Sequence, residues 1–223
     1  MKIGRLSGPG GQARLGLVTP RGVLDVGAAA AAMGAGRIPA SMGALMNGGG
    51  AALDDVRALA ESAQQRGEAR WFTALDQANW RTPVEPANCI CAGRNFAKHA
   101  SESKAAWSAQ GTTGIHFEFP TGFIKLPSVL VPHRAPVRRP PDVAEFDYEV
   151  EIAAVVGQSI ERVSEAQALA AVFGYTVFND LSAREWQRRE MRNQMIVIGK
   201  NFPGFAPIGP WILTADEVPD PQR

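Results

Sequence analysis

The sequence predicts an α+β fold, mostly β, in two parts: a small N-terminal α+β domain over residues 1–75 and a larger, mainly β domain over 76–223. Three observations point there. Short apolar runs of strand length recur between Gly- and Pro-rich breaks. Helical spacing is confined to a few stretches. The composition also changes near Pro83, where Gly- and Ala-rich sequence gives way to extended runs punctuated by proline.

MKIGRL, ARLGLVTP and GVLDVG read as strands separated by Gly-rich turns. GAAAAAMGAG and residues 51–65 read as helical, the second because Leu53, Val56, Leu59 and Ala60 fall on one helix face. GPGG is a turn; it lacks the strand-to-helix context of a phosphate loop. VEPANCICAGRN is a strand entering a turn, residues 96–110 are helical, and GIHFEFPTGFIKLPSVLVP holds two short extended segments. RAPVRRPPDVAEF is irregular, and DYEVEIAAVVG is a strand. Residues 161–173 form a helix with Ser164 as N-cap and Gln167 at the capping-box position. GYTVFNDLS is a strand, residues 183–192 a charged helix, residues 199–210 a Gly/Pro loop, and PWILTADEV the last strand. In the charged helix, acids interrupt the basic run of REWQRREMR, so it reads as a solvated face.

A chain of 223 residues, 45% hydrophobic, can bury a sizeable core. A net charge of +1 gives no bias toward nucleic acid or an anionic membrane. No apolar run approaches the ~20 residues of a membrane span, and the N-terminus lacks the apolar core of a secretory leader. The expectation is a soluble cytoplasmic protein without nucleic-acid or membrane partners. Cys89 and Cys91 lie one residue apart, too close for a common disulfide and too few for a zinc site. They read as small buried apolar residues in a reduced compartment.

The chemistry-bearing stretch is EFDYEVEIAAVVG, residues 145–157. On a strand, Glu145, Asp147, Glu149 and Glu151 share one face, and Phe146, Tyr148, Val150 and Ile152 the other. Residues 152–156 are continuously apolar and read as buried, so carboxylates adjoining them need partners. Glu149 and Glu151 can serve one hard divalent cation, or they can line a wet sheet edge. Asp180 either caps the helix after it, a job Ser182 fills equally, or adds a third carboxylate. Lys200 is a cation beside a Gly-rich loop or a surface lysine. His99 and Glu102, three apart on a helix, suit a general base or an ordinary surface pair.

In order along the chain, CAGRNFAKHASE, GFIKLPSVLV, DYEVEIAAVVG, GYTVFNDLSAREWQ and GKNFPGFAPIGPWILT resemble the motifs of the fumarylacetoacetate hydrolase (FAH) family. The resemblance runs from about Cys89 to the end of the chain, and the N-terminal part looks like the small domain of many members. It implies a catalytic domain built as a mixed β-sandwich or roll with flanking helices. It matches Glu149, Glu151 and Asp180 to metal-binding carboxylates for Mg²⁺ (or Mn²⁺ or Ca²⁺), and Lys200 to the lysine beside the metal. His99 and Glu102 match the catalytic dyad, and Gln187 a substrate contact; Lys125 and Arg184 take supporting places at the substrate. Asp147 falls to a structural hydrogen bond and Glu145 to the surface.

The resemblance also implies a reaction. Members act on 2-oxo acids or 1,3-dicarbonyl compounds, whose paired oxygens chelate the metal while an enolate forms. The expectation is a metal-dependent hydrolase of aromatic catabolism that cleaves a carbon–carbon bond in an acylpyruvate- or fumarylpyruvate-like substrate, acting as a homodimer. The alternatives are an isomerase or decarboxylase of 2-hydroxy-dienoates or 2-oxo diacids, and a non-catalytic metal-binding remnant. Three departures stand out. Leu126 separates Lys125 from Pro127. Asn201, Pro203 and Gly204 replace a hydroxyl, an acid and a hydroxyl in the family's G-K-S-F-D-T-F-A-P. Members usually continue for several dozen residues beyond the point matching Arg223, with a Gly/Thr-rich T-G-T-P-x-G loop, so a C-terminally truncated member is expected.

Overall fold

The computed structural model of the chain describes residues 1–93, 95 and 119–221. The N-terminal part is an antiparallel meander of β1 (Lys2–Ser7), β2 (Ala13–Thr19) and β3 (Gly22–Asp25), with β4 (Phe72–Thr73) against β3. Asp25 ends β3 and caps α1 (Val26–Met33), accepting the Ala28 N–H at 2.9 Å. Ser41 caps α2 (Met42–Arg66), which closes on Gly67 at φ 67°. The helix expected over 51–65 thus begins nine residues earlier, bent at Gly49. Leu45, Val56, Leu59 and Ala63 bury one face of α2 against Ile3, Leu15, Leu17 and Leu24, each large side chain worth about 1.5–3 kcal/mol.

The remainder supplies β5 (Cys89–Ala92), β6 (Gly122–Lys125), β7 (Leu130–Pro132), β8 (Phe146–Asp147), β9 (Val150–Val156), α3 (Glu165–Ala170), β10 (Val172–Asn179), β11 (Ser182–Ala183), α4 (Arg184–Met191), β12 (Ala206–Ile208) and β13 (Ile212–Thr214). Among the described residues nine strands form one sheet, in the order β4-β3-β2-β1-β13-β10-β12-β7, with β9 on β10. β10 is its axis: β9 runs along it, while β13 and β12 both pair with it, at Tyr175 and Phe178 respectively. The fold is α+β and mostly sheet. β1 pairs with β13, so the sheet draws strands from both sides of residue 75. No described helix is long and apolar enough to cross a membrane.

Two expectations change. The helix expected over 161–173 is six residues long; its capping box of Ser164 and Gln167 forms, but Val172 onward joins β10 opposite β9. Cross-strand pairing of the β-branched and aromatic run outweighs helical spacing there. The apolar half of β9 is not buried as a whole. Ala153 and Val155 turn inward, whereas Val150, Ile152 (67% exposed) and Val156 face outward with Val177 of β10. Alternation holds, and no described layer covers the outer face. The helix expected over 96–110 lies outside the described residues.

Candidate active site

Opposite residues of an antiparallel pair project to the same side of the sheet. Glu151 faces Phe178 across β9 and β10, and the Asp180 N–H donates to the Glu149 carbonyl at 2.8 Å just past the ladder. Glu149, Glu151 and Asp180 therefore project from one face at one end of the strand pair. Asp180 does not cap a helix: α4 begins after Ala183 with no side-chain cap.

The charges of the row are met one by one. Arg188 pairs with Glu145 at the surface. Arg184, one turn earlier on α4, donates to Asp147 at 2.6 and 2.8 Å and to Glu149 at 2.6 Å. Its remaining nitrogen donates to Gln187 at 2.8 Å. Successive same-side residues of an extended chain lie about 6.7 Å apart, and i,i+4 residues of a helix about 6 Å, so helix and row match in step. Asp147 makes the structural hydrogen bond expected of it. Arg184 ties the row to Gln187, a larger part than the sequence reading gave it.

Two lysines complete the cluster. The Lys200 ammonium donates to Asp180 at 2.6 Å and to Glu149, and lies 4.9 Å from the centre of the Phe123 ring. Lys125 is fully buried; its ammonium donates to the carbonyls of Leu181, Lys200 and Phe205 at 2.9, 2.6 and 2.8 Å. Those bonds take all three of its protons. Asp180 Oδ1, 2.7 Å away, receives its charge but no hydrogen bond. Burial pushes the Lys125 ammonium below the usual lysine range, with Asp180 pulling the other way. Burial likewise raises Asp180 against the pull of Lys200 and Lys125. For Glu149 burial is outweighed by Lys200 and Arg184, which hold its carboxyl at about 2. Glu151 is raised, by burial first and then by the charges of Glu149 and Asp180.

α4 also grips its surroundings through two acids that sequence reasoning left on a solvated face. Glu185 accepts the N–H groups of Ala144 and Glu145, both at 2.7 Å, where the carboxylate row begins. Glu190 accepts those of Val197, Ile198 and Gly199 at 3.1, 2.6 and 2.8 Å, which open the 3₁₀ turn carrying Lys200. Gly199 lies so close to α4 that a Cβ there would stand 2.6 Å from the Gln187 nitrogen. Asn201 joins the turn to β6, accepting from the Leu126 N–H at 2.6 Å and donating to the Ile124 carbonyl at 3.0 Å. The only sequence signal for these acids was their interruption of the basic run, which has an equally good surface explanation.

The three carboxylates offer oxygen donors alone, which suits a hard divalent cation in kind. Glu149 and Asp180 already converge on one cation, the Lys200 ammonium, and Glu151 is left with unrelieved repulsion from both. Among the described residues no three His, Cys, Asp or Glu side chains are gathered closely enough to hold a metal ion. His99 and Glu102 lie outside the described residues.

A family model described as fumarylacetoacetate (FAA) hydrolase C-terminal matches residues 88–223. A fumarylacetoacetate hydrolase domain-containing protein 2 homolog of Dictyostelium discoideum is 38% identical over 144 residues, 65% of this chain and 44% of that protein. The human mitochondrial oxaloacetate tautomerase FAHD2A is 34% identical over 148 residues, 66% of this chain and 44% of that protein. The chain thus spans about half the length of the curated relatives it matches. Among solved structures, a fumarylacetoacetate hydrolase from Exiguobacterium antarcticum superposes with a TM-score of 0.62 at 28% identity, covering 97% of this chain and 67% of that one. A 5-carboxymethyl-2-hydroxymuconate delta-isomerase from Mycobacterium smegmatis shares the fold, with a TM-score of 0.61 at 24% identity over 96% of this chain and 66% of that one.

Proposed function

The chain belongs to the fumarylacetoacetate hydrolase family, and from that premise we propose that it cleaves a carbon–carbon bond in an acylpyruvate- or fumarylpyruvate-like substrate of aromatic catabolism. The observation that carries this reading is the convergence of Glu149, Asp180, Lys200 and Lys125 at one end of β9 and β10. Glu149, Glu151 and Asp180 would hold a divalent cation, Mg²⁺ or else Mn²⁺ or Ca²⁺, which when bound supplies Lewis-acid polarisation of carbonyl oxygens. Lys200, held by Glu149 and Asp180, would set its positive charge beside the negative charge that an enolate oxygen of the substrate develops. Arg184 orients Gln187, which would contact the substrate. His99, with Glu102 fixing its tautomer, would take the proton of the attacking water.

The second reading is tautomerisation or isomerisation of a 2-oxo diacid, favoured by the relatives named as oxaloacetate tautomerases. It needs the same stabilised enolate but no water attack. Purified chain with Mg²⁺ is offered acylpyruvates and oxaloacetate while enol absorbance is followed and products are identified. Release of pyruvate and a carboxylic acid supports hydrolysis. Loss of enol absorbance with the carbon skeleton intact supports tautomerisation, and no turnover of either by folded, Mg²⁺-loaded chain sinks both. Glu149→Ala should abolish Mg²⁺ binding by calorimetry, and His99→Ala should keep it while losing hydrolysis. A homodimer and a cytoplasmic location belong to the same proposal. The outward apolar face of β9 and β10 is the kind of surface association covers, and sedimentation velocity tests it.

A further inference from the structure

The 3₁₀ turn that carries Lys200 is tied to β6 from both directions. Phe123 and Lys125 occupy alternate positions of β6 and so share one face. The Lys125 ammonium donates to the Lys200 carbonyl at 2.6 Å, and the Lys200 ammonium lies 4.9 Å from the centre of the Phe123 ring. From the turn, Asn201 reaches back to the main chain of β6. Its Oδ1 accepts the Leu126 N–H at 2.6 Å, and its Nδ2 donates to the carbonyls of Ile124 and Val197 at 3.0 and 2.8 Å.

The Asn201 carboxamide therefore holds the main-chain groups on both sides of Lys125. Its orientation is fixed, because both amide protons face carbonyls and the oxygen faces an N–H. Glu190 grips the N–H groups that open the same turn, so Asn201 is the matching tie at its end. Leu126 and Asn201 are also two of the places where the chain departs from the family's motifs, and they meet in one hydrogen bond. A proline directly after Lys125 would bring no N–H to that point.

We infer that Asn201 is a positioning residue for Lys200. By clasping β6 on both sides of Lys125, it fixes the turn against that strand and so holds the Lys200 ammonium on Glu149 and Asp180 under the Phe123 ring. The role rests on the reaction proposed above, in which the charge of Lys200 serves the enolate. Asn201 acts through Lys200 and on no reacting atom itself.

Labelling with acetic anhydride, read by peptide mass spectrometry, follows Lys200 without any substrate, with Lys2 of β1 as the unmoved reference. Asn201→Ala removes three hydrogen bonds and should label Lys200 at least about tenfold faster than the parent. Leu126→Pro deletes the N–H that Asn201 accepts, and the Leu126 φ of −66° already suits proline. It should quicken Lys200 at least about twofold, and it carries the test should Asn201→Ala fail to fold. The double variant should label no faster than Asn201→Ala, because the two changes break the same bond. With whichever of acylpyruvate or oxaloacetate the parent turns over, Asn201→Ala should lower kcat at least about tenfold and leave KM within about threefold. Lys200 labelled at the parent's rate in both single variants, a double variant quickened by the product of the single effects, or an unchanged kcat with a raised KM would each overturn the clasp. If the parent turns over neither substrate, the reaction reading falls, while faster labelling of Lys200 still supports the clasp.

Discussion

Lys125 sits in a family motif, yet its place in the chain gives no hint that it is the most deeply buried charge of the cluster. Its ammonium closes three carbonyls, one after β10 and two from the 199–210 loop, and lends Asp180 its charge. Removing one partner of a buried charge cluster strands the others, so Lys125→Met should cost about 3–5 kcal/mol, read from urea unfolding. Glu149 makes the opposite kind of prediction, one about pH. Its folded value of about 2 lies below its ordinary 4.5. A depressed carboxyl stabilises the fold above its unfolded value and loses that contribution as pH falls through the folded one. The window is therefore pH 4.5 down to about 2, and the contribution about 3 kcal/mol. Asp180 and Glu151 are raised and act in reverse, their ionised forms costing stability as pH climbs. Between pH 5 and pH 2 the parent chain should lose about 3 kcal/mol more unfolding free energy than Glu149→Gln. Equal losses in denaturant titrations would show that Lys200 and Arg184 do not depress Glu149.

At the scale of elements, strand and helix positions were largely legible because period and caps are local: β1, β2, β3, α4 and the capping box of α3 stand where spacing put them. What α4 does was not legible. Arg184 and Arg188 read the carboxylate row, Glu185 holds the start of that row, and Glu190 holds the turn of Lys200. Each is a contact across 7 to 43 residues of chain, and no periodicity records such a contact. Glu190→Ala removes an acceptor shared by three consecutive N–H groups. Hydrogen bonds to a charged group contribute about 1.5–3 kcal/mol each, so exchange of the Val197, Ile198 and Gly199 amides should quicken at least about tenfold. Hydrogen-exchange mass spectrometry reads this directly, with the amides of β2 as the unmoved reference. Gly199→Ala tests the same grip from the other side. Its Cβ would meet main-chain atoms of Gln187, which cannot swing aside, so a cost of about 1–3 kcal/mol is expected from thermal unfolding.

Across the whole molecule, the boundary expected near residue 75 is crossed by the sheet, in which β1 pairs with β13. Strand pairing between distant segments is set by the fit of two surfaces, which neither stretch carries alone. Ile3 of β1 lies opposite Ile212 of β13, and the Met1 ammonium donates to the Thr214 hydroxyl at 2.5 Å. Ile3, Val155, Phe173 and Ile212 belong to one core with Leu45, Val56 and Leu59 of α2. The same dependence explains why the reading of residues 152–156 as buried holds for Val155 and fails for Ile152 and Val156. Burial of a face needs a second layer, and for Val155 that layer is the N-terminal part. Residues 76–223 expressed alone would leave the β1 edge of β13 unpaired and uncover Val155, Phe173 and Ile212. At about 25 cal/mol for each Å² of apolar surface, baring three large side chains offsets most of the 5–15 kcal/mol that holds a domain together. The fragment should show no cooperative urea transition by circular dichroism, or one at a much lower midpoint than the full chain. A transition at the full chain's own midpoint would mean that residues 1–75 form a separable domain and that the shared core adds little to the stability of the rest.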